Sequence, residues 1–171
     1  MNPKVEKALN EQIHAEFFSF YLYLSVAAYF TAHHLDGFAH WMRIQAQEEL
    51  GHAMKLIDHL AERGGTVELM ALDGPQKEWA SPSAAVEAVL NHERHISQRI
   101  NEIVDLASAE NDHATTVMMH WYVNEQVEEE ATADTLYHQV KMVEDSPHGL
   151  LMIDRELAGR PAAADPSTAA E

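Results

Sequence analysis

Residues 64–81 read GGTVELMALDGPQKEWAS. These 18 residues form a long connection between two helical segments, and their reach sets the topology. A helix of about 28 residues is roughly 42 Å long, whereas such a connection, fully extended, spans at most about 60 Å. It can therefore run the full length of a bundle and leave the helices before and after it parallel.

To either side, apolar residues recur at three and four positions, and no segment shows the period of two that marks a strand. Helices are expected at 4–33, 36–63, 82–110, 113–143 and 147–158. Asn2-Pro3, Ser81-Pro82 and Ser146-Pro147 each place a capping side chain before a proline at the first helical position. The links between the first two helices and between the third and fourth are short, as antiparallel neighbours require. The expected fold is all-α: a four-helix bundle with one long crossover loop and a short C-terminal fifth helix, forming one domain over 1–158. Residues 159–171, GRPAAADPSTAAE, are rich in alanine and proline and are expected to be disordered.

The 171 residues include 28 acidic and 11 basic side chains, a formal net charge of -17. That balance opposes nucleic-acid backbones and anionic membranes and favours cations. The absence of cysteine removes disulfides, thiolate metal sites and cysteine nucleophiles. The N-terminus, MNPKVEKALNEQIH, lacks the basic start and apolar run of a signal peptide, and nowhere do about 18 apolar residues run unbroken. A soluble, cytoplasmic protein is expected, with neither nucleic acid nor membrane as a partner.

Glu-x-x-His occurs at Glu11/His14, Glu49/His52 and Glu110/His113, but among 19 glutamates and 12 histidines the spacing alone carries no weight. The third pair falls at a turn, and Glu11 points about 140° from the inner face of its helix at 100° per residue. With Glu49 at 0°, Met42, Ala46, His52, Ala53, Leu56 and Leu60 all lie within about 60°. The same construction sets Val86, Val89, Leu90, Ile96, Ile100 and Val104 around Glu93. It sets Met118, Tyr122, Leu136 and Val140 around Glu129, and Phe20, Tyr23, Ala27 and Phe30 around Glu16. Each of the four helices thus turns one glutamate onto its apolar stripe. At ~1.5 Å per residue these glutamates and His52 fall between about 16 and 25 Å from one end of the bundle, within reach of one cluster.

Four ionised carboxylates in an apolar interior repel one another and lose their hydration, and no lysine or arginine shares their faces. Two divalent cations would balance the charge. Mixed carboxylate and imidazole ligands with open positions suit iron that must meet an oxidant. Tyr23, Trp121 and Tyr122, at helical spacing, read as core packing, with Tyr23 also a candidate redox residue.

Taken together, "LNEQIHAE", "AQEELGH", "NEQVEEE" and "IDREL" resemble the bacterial non-haem ferritins of the ferritin-like di-iron family, and the likeness covers nearly the whole chain. The resemblance implies that Glu16, Glu49 and His52 hold a first iron and Glu49, Glu93 and Glu129 a second, with Glu49 bridging and Gln126 alongside. It implies a third iron site at Glu48, Glu125, Glu128 and Glu129. Bacterioferritins and rubrerythrins carry a second Glu-x-x-His on the last core helix, where this chain has Gln126 and Glu129. Bacterioferritins also place a haem-ligating methionine directly after the bridging glutamate, where this chain has Leu50, so no haem is expected. Positions that line the three-fold channel of animal ferritins with carboxylates look like Thr116 and Met119 here.

The function the resemblance implies is oxidation of iron(II) by oxygen or hydrogen peroxide, with storage as a ferric mineral inside a homo-oligomeric shell of 24 subunits. The alternative is a non-storing di-iron oxidase or peroxidase of the rubrerythrin type, though without cysteine no rubredoxin-type electron donor can form. A DNA-protecting mini-ferritin is disfavoured by the acidic balance and the intrasubunit cluster. A metal-free structural bundle would take up no metal.

Overall fold

The computed structural model describes residues 1–161 and contains the five expected helices, α1 Pro3–Ala32, α2 Asp36–Glu62, α3 Pro82–Ala109, α4 His113–Met142 and α5 Pro147–Leu157. The three Pro-led starts are capped as expected: Asn2 accepts from the Lys4 amide, Ser81 from Ala84 and Ser146 from Gly149. The turns after α1, α2 and α3 each pass through the left-handed region, at His34, Gly64 and Asn111. None of the described helices is long and apolar enough to cross a membrane.

A fourth cap arises at Asp112, whose Oδ1 accepts from the Thr115 amide at 3.1 Å and from Arg63 Nη1 at 2.8 Å. The side chain thereby ties the end of α2 to the start of α4. Burial alone would raise its pKa, but the bonds from Arg63 and Thr115 win and hold it below its usual 3.8. A depressed carboxylate contributes stability that is present above its unfolded pKa and lost as pH falls through the folded one. Asp112→Ala is expected to cost about 2 kcal/mol near neutral pH. In urea denaturation that difference from wild type should shrink below the unfolded value of 3.8.

The crossover takes the full-length route. Starting beside the N-terminal half of α1, the Thr66 amide donates to Glu6 and the Thr66 carbonyl accepts from Asn10, whose Oδ1 also accepts from the Glu68 amide. Further along, His14 Nε2 lies 3.0 Å from the Ala71 carbonyl oxygen, and Ser25 Oγ donates to the Gln76 carbonyl at 2.6 Å. At the far end Trp79 packs edge-on against Tyr29, with ring centroids 5.3 Å apart. The loop thus climbs α1 from Glu6 to Tyr29, so α2 and α3 run parallel.

The core is not continuous along the bundle axis. One apolar cluster holds Phe30, Phe38, Met42, Val86, Leu90 and Leu136. A second holds Leu9, Ile13, Leu56, Leu60, Ile96 and Met119. On every long helix buried polar residues stand between the two clusters: Glu16, Glu49 with His52, Glu93, and Gln126 with Glu129. The bundle therefore contains a polar belt between two apolar blocks.

α5 docks on the start of α2. Asp154 Oδ1 accepts from the amides of Gly37 at 2.8 Å and Phe38 at 3.1 Å, two of the donors a helix N-terminus leaves free. A Cβ at Gly37 would lie 1.6 Å from the Asp154 carbonyl oxygen, so only glycine permits this approach. Beyond α5, Arg160 belongs to the segment read from sequence as disordered, yet its side chain bonds to Gln45 and Glu48 on α2. The rest of that expected tail, residues 162–171, lies outside the described residues.

Candidate metal centre

The belt is built by one face of each long helix. Glu16, Glu49 and His52 each offer a ligand atom, and these atoms all lie within 4.8 Å of one another. Two atoms bound to one metal at about 2.0–2.2 Å lie at most about 4.4 Å apart, so small side-chain rotations bring this group onto one ion. Glu49 Oε2 lies 3.4 Å from His52 Nδ1. Glu16 Oε2 and Glu49 Oε1 are buried without a hydrogen-bond partner. Unpartnered carboxylate oxygens in a dry interior are costly, and a cation supplies what they lack. The donor set therefore fits a divalent metal.

The remaining oxygens are oriented by neutral donors. Glu16 Oε1 accepts from Gln12 Nε2 at 2.8 Å, and Gln12 in turn accepts from Arg99 Nε at 3.0 Å. Glu93 accepts from the Tyr23 hydroxyl on one oxygen and from Gln126 Nε2 at 3.1 Å on the other. Glu129 Oε2 accepts from Gln45 Nε2 at 2.7 Å. Tyr122 donates to the His52 carbonyl at 2.7 Å and so fixes the backbone behind the imidazole.

The electrostatics are those of a site short of positive charge. Burial, then the neighbouring charges of Glu93, Glu16 and Glu129, push the Glu49 carboxyl well above the usual range. Burial pushes Glu93 up to about 7 despite the bonds from Tyr23 and Gln126. Glu129 is likewise pushed up to about 7, by burial first and by Glu93 second. Burial raises Tyr23 as well, reinforced by Glu93 and Glu49, which keeps its hydroxyl a donor.

Of the residues singled out in the sequence, Glu16, Glu49, His52, Glu93, Gln126, Glu129 and Tyr23 are all in the belt or bonded to it. Among the described residues, Glu16, Glu49 and His52 are the one group of three whose ligand atoms converge so closely. Glu93 and Glu129 join them through charge rather than through that convergence. Glu48 and Glu125 are partly exposed and line a groove of about 1010 Å³ between α2 and α4, beside His52. Glu128 is exposed and does not line it.

Trp121 differs from the core packing expected of it. It is 36% exposed, lies edge-on to His52 with centroids 5.3 Å apart, and carries Lys55 Nζ 3.9 Å above its ring. It shields the open edge of the imidazole, on the groove wall. Sequence reading missed Gln12 and Gln45. A signal existed for both, because each is a polar residue four positions before an inward glutamate on the same helical face.

A four-helix bundle with one crossover and a buried carboxylate–histidine cluster capable of holding metal defines a class of carboxylate-rich metal proteins. The family model for the ferritin-like domain matches residues 6–143. Among curated relatives, a bacterial non-heme ferritin of Bacteroides fragilis is 42% identical over 160 residues, 94% of this chain and 99% of its own. One from Escherichia coli O157:H7 is 32% identical over 158 residues, covering 92% and 96%. Among solved structures, an engineered closed form of the Archaeoglobus fulgidus ferritin superposes with a TM-score of 0.94 at 47% identity, covering 95% of this chain and 99% of that one. The open-pore ferritin of the same archaeon gives 0.93 at 48%, covering 94% and 99%. The chain belongs to the ferritin family.

Proposed function

We propose that the protein is an iron-storage ferritin with ferroxidase activity. Iron(II) is its substrate, oxidised at the belt by oxygen or hydrogen peroxide and stored as a ferric oxyhydroxide mineral inside a cytoplasmic cage of 24 copies. The observation that carries this reading is the pair of unpartnered buried oxygens, Glu16 Oε2 and Glu49 Oε1, converging with His52. Glu16, Glu49 and His52 hold one iron. Glu49 bridges to a second, held with Glu93 and Glu129. Two irons give up two electrons, the number that takes dioxygen to hydrogen peroxide or hydrogen peroxide to water.

The chain's own part is to present these ligands dry and aligned. Gln12, Gln126 and Gln45 donate to Glu16, Glu93 and Glu129, leaving the other lone pairs free to face the metal. Tyr23 donates to Glu93 from a fully buried position, placing a phenol in direct contact with a ligand, where it can also supply an electron. Leu50 offers no thioether, so haem is no part of the assignment. Rapid-mixing oxidation of two iron(II) per subunit tests the reading: a fast phase lost when Glu16 or His52 is replaced supports it, and a rate no better than in buffer refutes it.

Glu48, Glu125 and Glu128, with Glu129 shared, form a third, more hydrated iron site that governs the steps after the first oxidation. The groove that brings Glu48 and Glu125 beside His52 supports this. Replacing all three with alanine is expected to preserve the fast phase while changing the oxygen consumed per iron, read with an oxygen electrode. An unchanged ratio would leave them as surface charge.

A further inference from the structure

Arg160, three residues past the end of α5, is wired to the centre. Its Nη2 donates to both oxygens of Glu48, at 3.1 and 2.8 Å, and its Nη1 donates to Gln45 Oε1. The guanidinium lies 5.1 Å from the Trp41 ring centre, and the Arg160 carbonyl oxygen lies 2.9 Å from His40 Nε2. At the other end of the Gln45 amide, Nε2 donates to Glu129 Oε2 at 2.7 Å. Gln45 is 1% exposed, so the amide has no water with which to exchange partners.

The chemistry of this chain of bonds runs one way. A guanidinium can only donate, so Gln45 must turn its oxygen toward Arg160 and its NH₂ toward Glu129. An ionised Glu129 asks for the same orientation from the other end, and among the described residues Arg160 is the one donor bonded to Gln45 Oε1. At Glu48 the guanidinium covers both carboxylate oxygens, the atoms a metal there would need. Among the described residues, Arg160 is the one lysine or arginine paired with any of the carboxylates assigned above. Its position depends on α5, which Asp154 clamps to Gly37 and Phe38.

We propose that Arg160 is a latch on the centre. It is a positioning residue that orients Glu129 through Gln45, and it occupies the Glu48 carboxylate until a third cation displaces it. The latch rests on the ferroxidase reading of these carboxylates and adds to it a control exerted by the segment after α5. Displacing a partly exposed, two-point guanidinium–carboxylate pair should weaken cation binding at Glu48 by about tenfold.

Terbium(III) serves as the probe, because it is redox-inert, prefers oxygen ligands and emits when a nearby tryptophan is excited; Trp121 stands on the same groove wall as Glu48 and Glu125. It would be titrated into the assembled, metal-free protein. In Arg160→Ala the midpoint of tryptophan-sensitised emission should move about tenfold lower than in wild type. Arg160→Lys, which keeps the charge but cannot bridge Gln45 and Glu48 together, should fall between. In a Glu48→Gln background, Arg160→Ala should have no effect on the midpoint. An unchanged midpoint in Arg160→Ala, or a shift that survives Glu48→Gln, would overturn the latch while leaving the ferroxidase reading in place. A wild-type protein that binds no terbium would overturn both.

Discussion

Glu49→Ala is expected to remove the fast oxidation of iron(II), lowering its initial rate by on the order of a hundredfold or more. Glu49 carries one of the belt's two unpartnered oxygens and lies within ligand range of Glu16 and His52. Its carboxyl also feels the charges of Glu93, Glu16 and Glu129, which is in keeping with the bridging role proposed for it. Glu93, proposed to hold one metal only, should give a milder loss when replaced by alanine, on the order of tenfold. Rapid-mixing absorbance on assembled protein separates the two variants, and equal, small losses would contradict the bridge. Neither change should unfold the metal-free protein, because removing an uncompensated buried carboxylate also removes repulsion.

The other large effect concerns capacity. Assembled protein given iron(II) in air should accumulate far more iron than its ligand side chains can hold, in a closed particle whose mass corresponds to many copies. Iron per particle and particle mass, measured on the same sample by elemental analysis and light scattering, check this together. Saturation at two or three irons per subunit would leave a non-storing oxidase in place of a store. The two Archaeoglobus fulgidus neighbours, one with an open pore and one engineered to a closed form, make the packing of the particle worth imaging in the same experiment.

Much of this architecture is legible in the sequence for local reasons. Asn2-Pro3, Ser81-Pro82 and Ser146-Pro147 mark helix starts chemically, and all three starts fall within one residue of those expected. Glu16, Glu49, Glu93 and Glu129 stand out because a charged residue on an apolar stripe is conspicuous at helical period. The route of the crossover is set by its reach. What periodicity cannot reveal depends on contacts between distant segments. Asp154 meets Gly37, Arg160 meets Gln45, and Arg63 meets Asp112 only once the bundle is assembled. Trp121 escapes for a related reason: its helical face borders the apolar stripe, but what lies over its ring is the ammonium group of Lys55.

The polar belt between the two apolar blocks also governs how the helices find one another. Four long amphipathic helices with continuous apolar stripes could slide past each other by a turn, about 5.4 Å, and still bury similar area. Here such a slip would carry a belt carboxylate such as Glu16 or Glu93 toward one of the apolar blocks rather than level with its companions, stranding it in hydrocarbon at a cost of several kcal/mol. The layer that gathers metal thereby acts as an axial key: it admits the one alignment in which every helix contributes to the same plane.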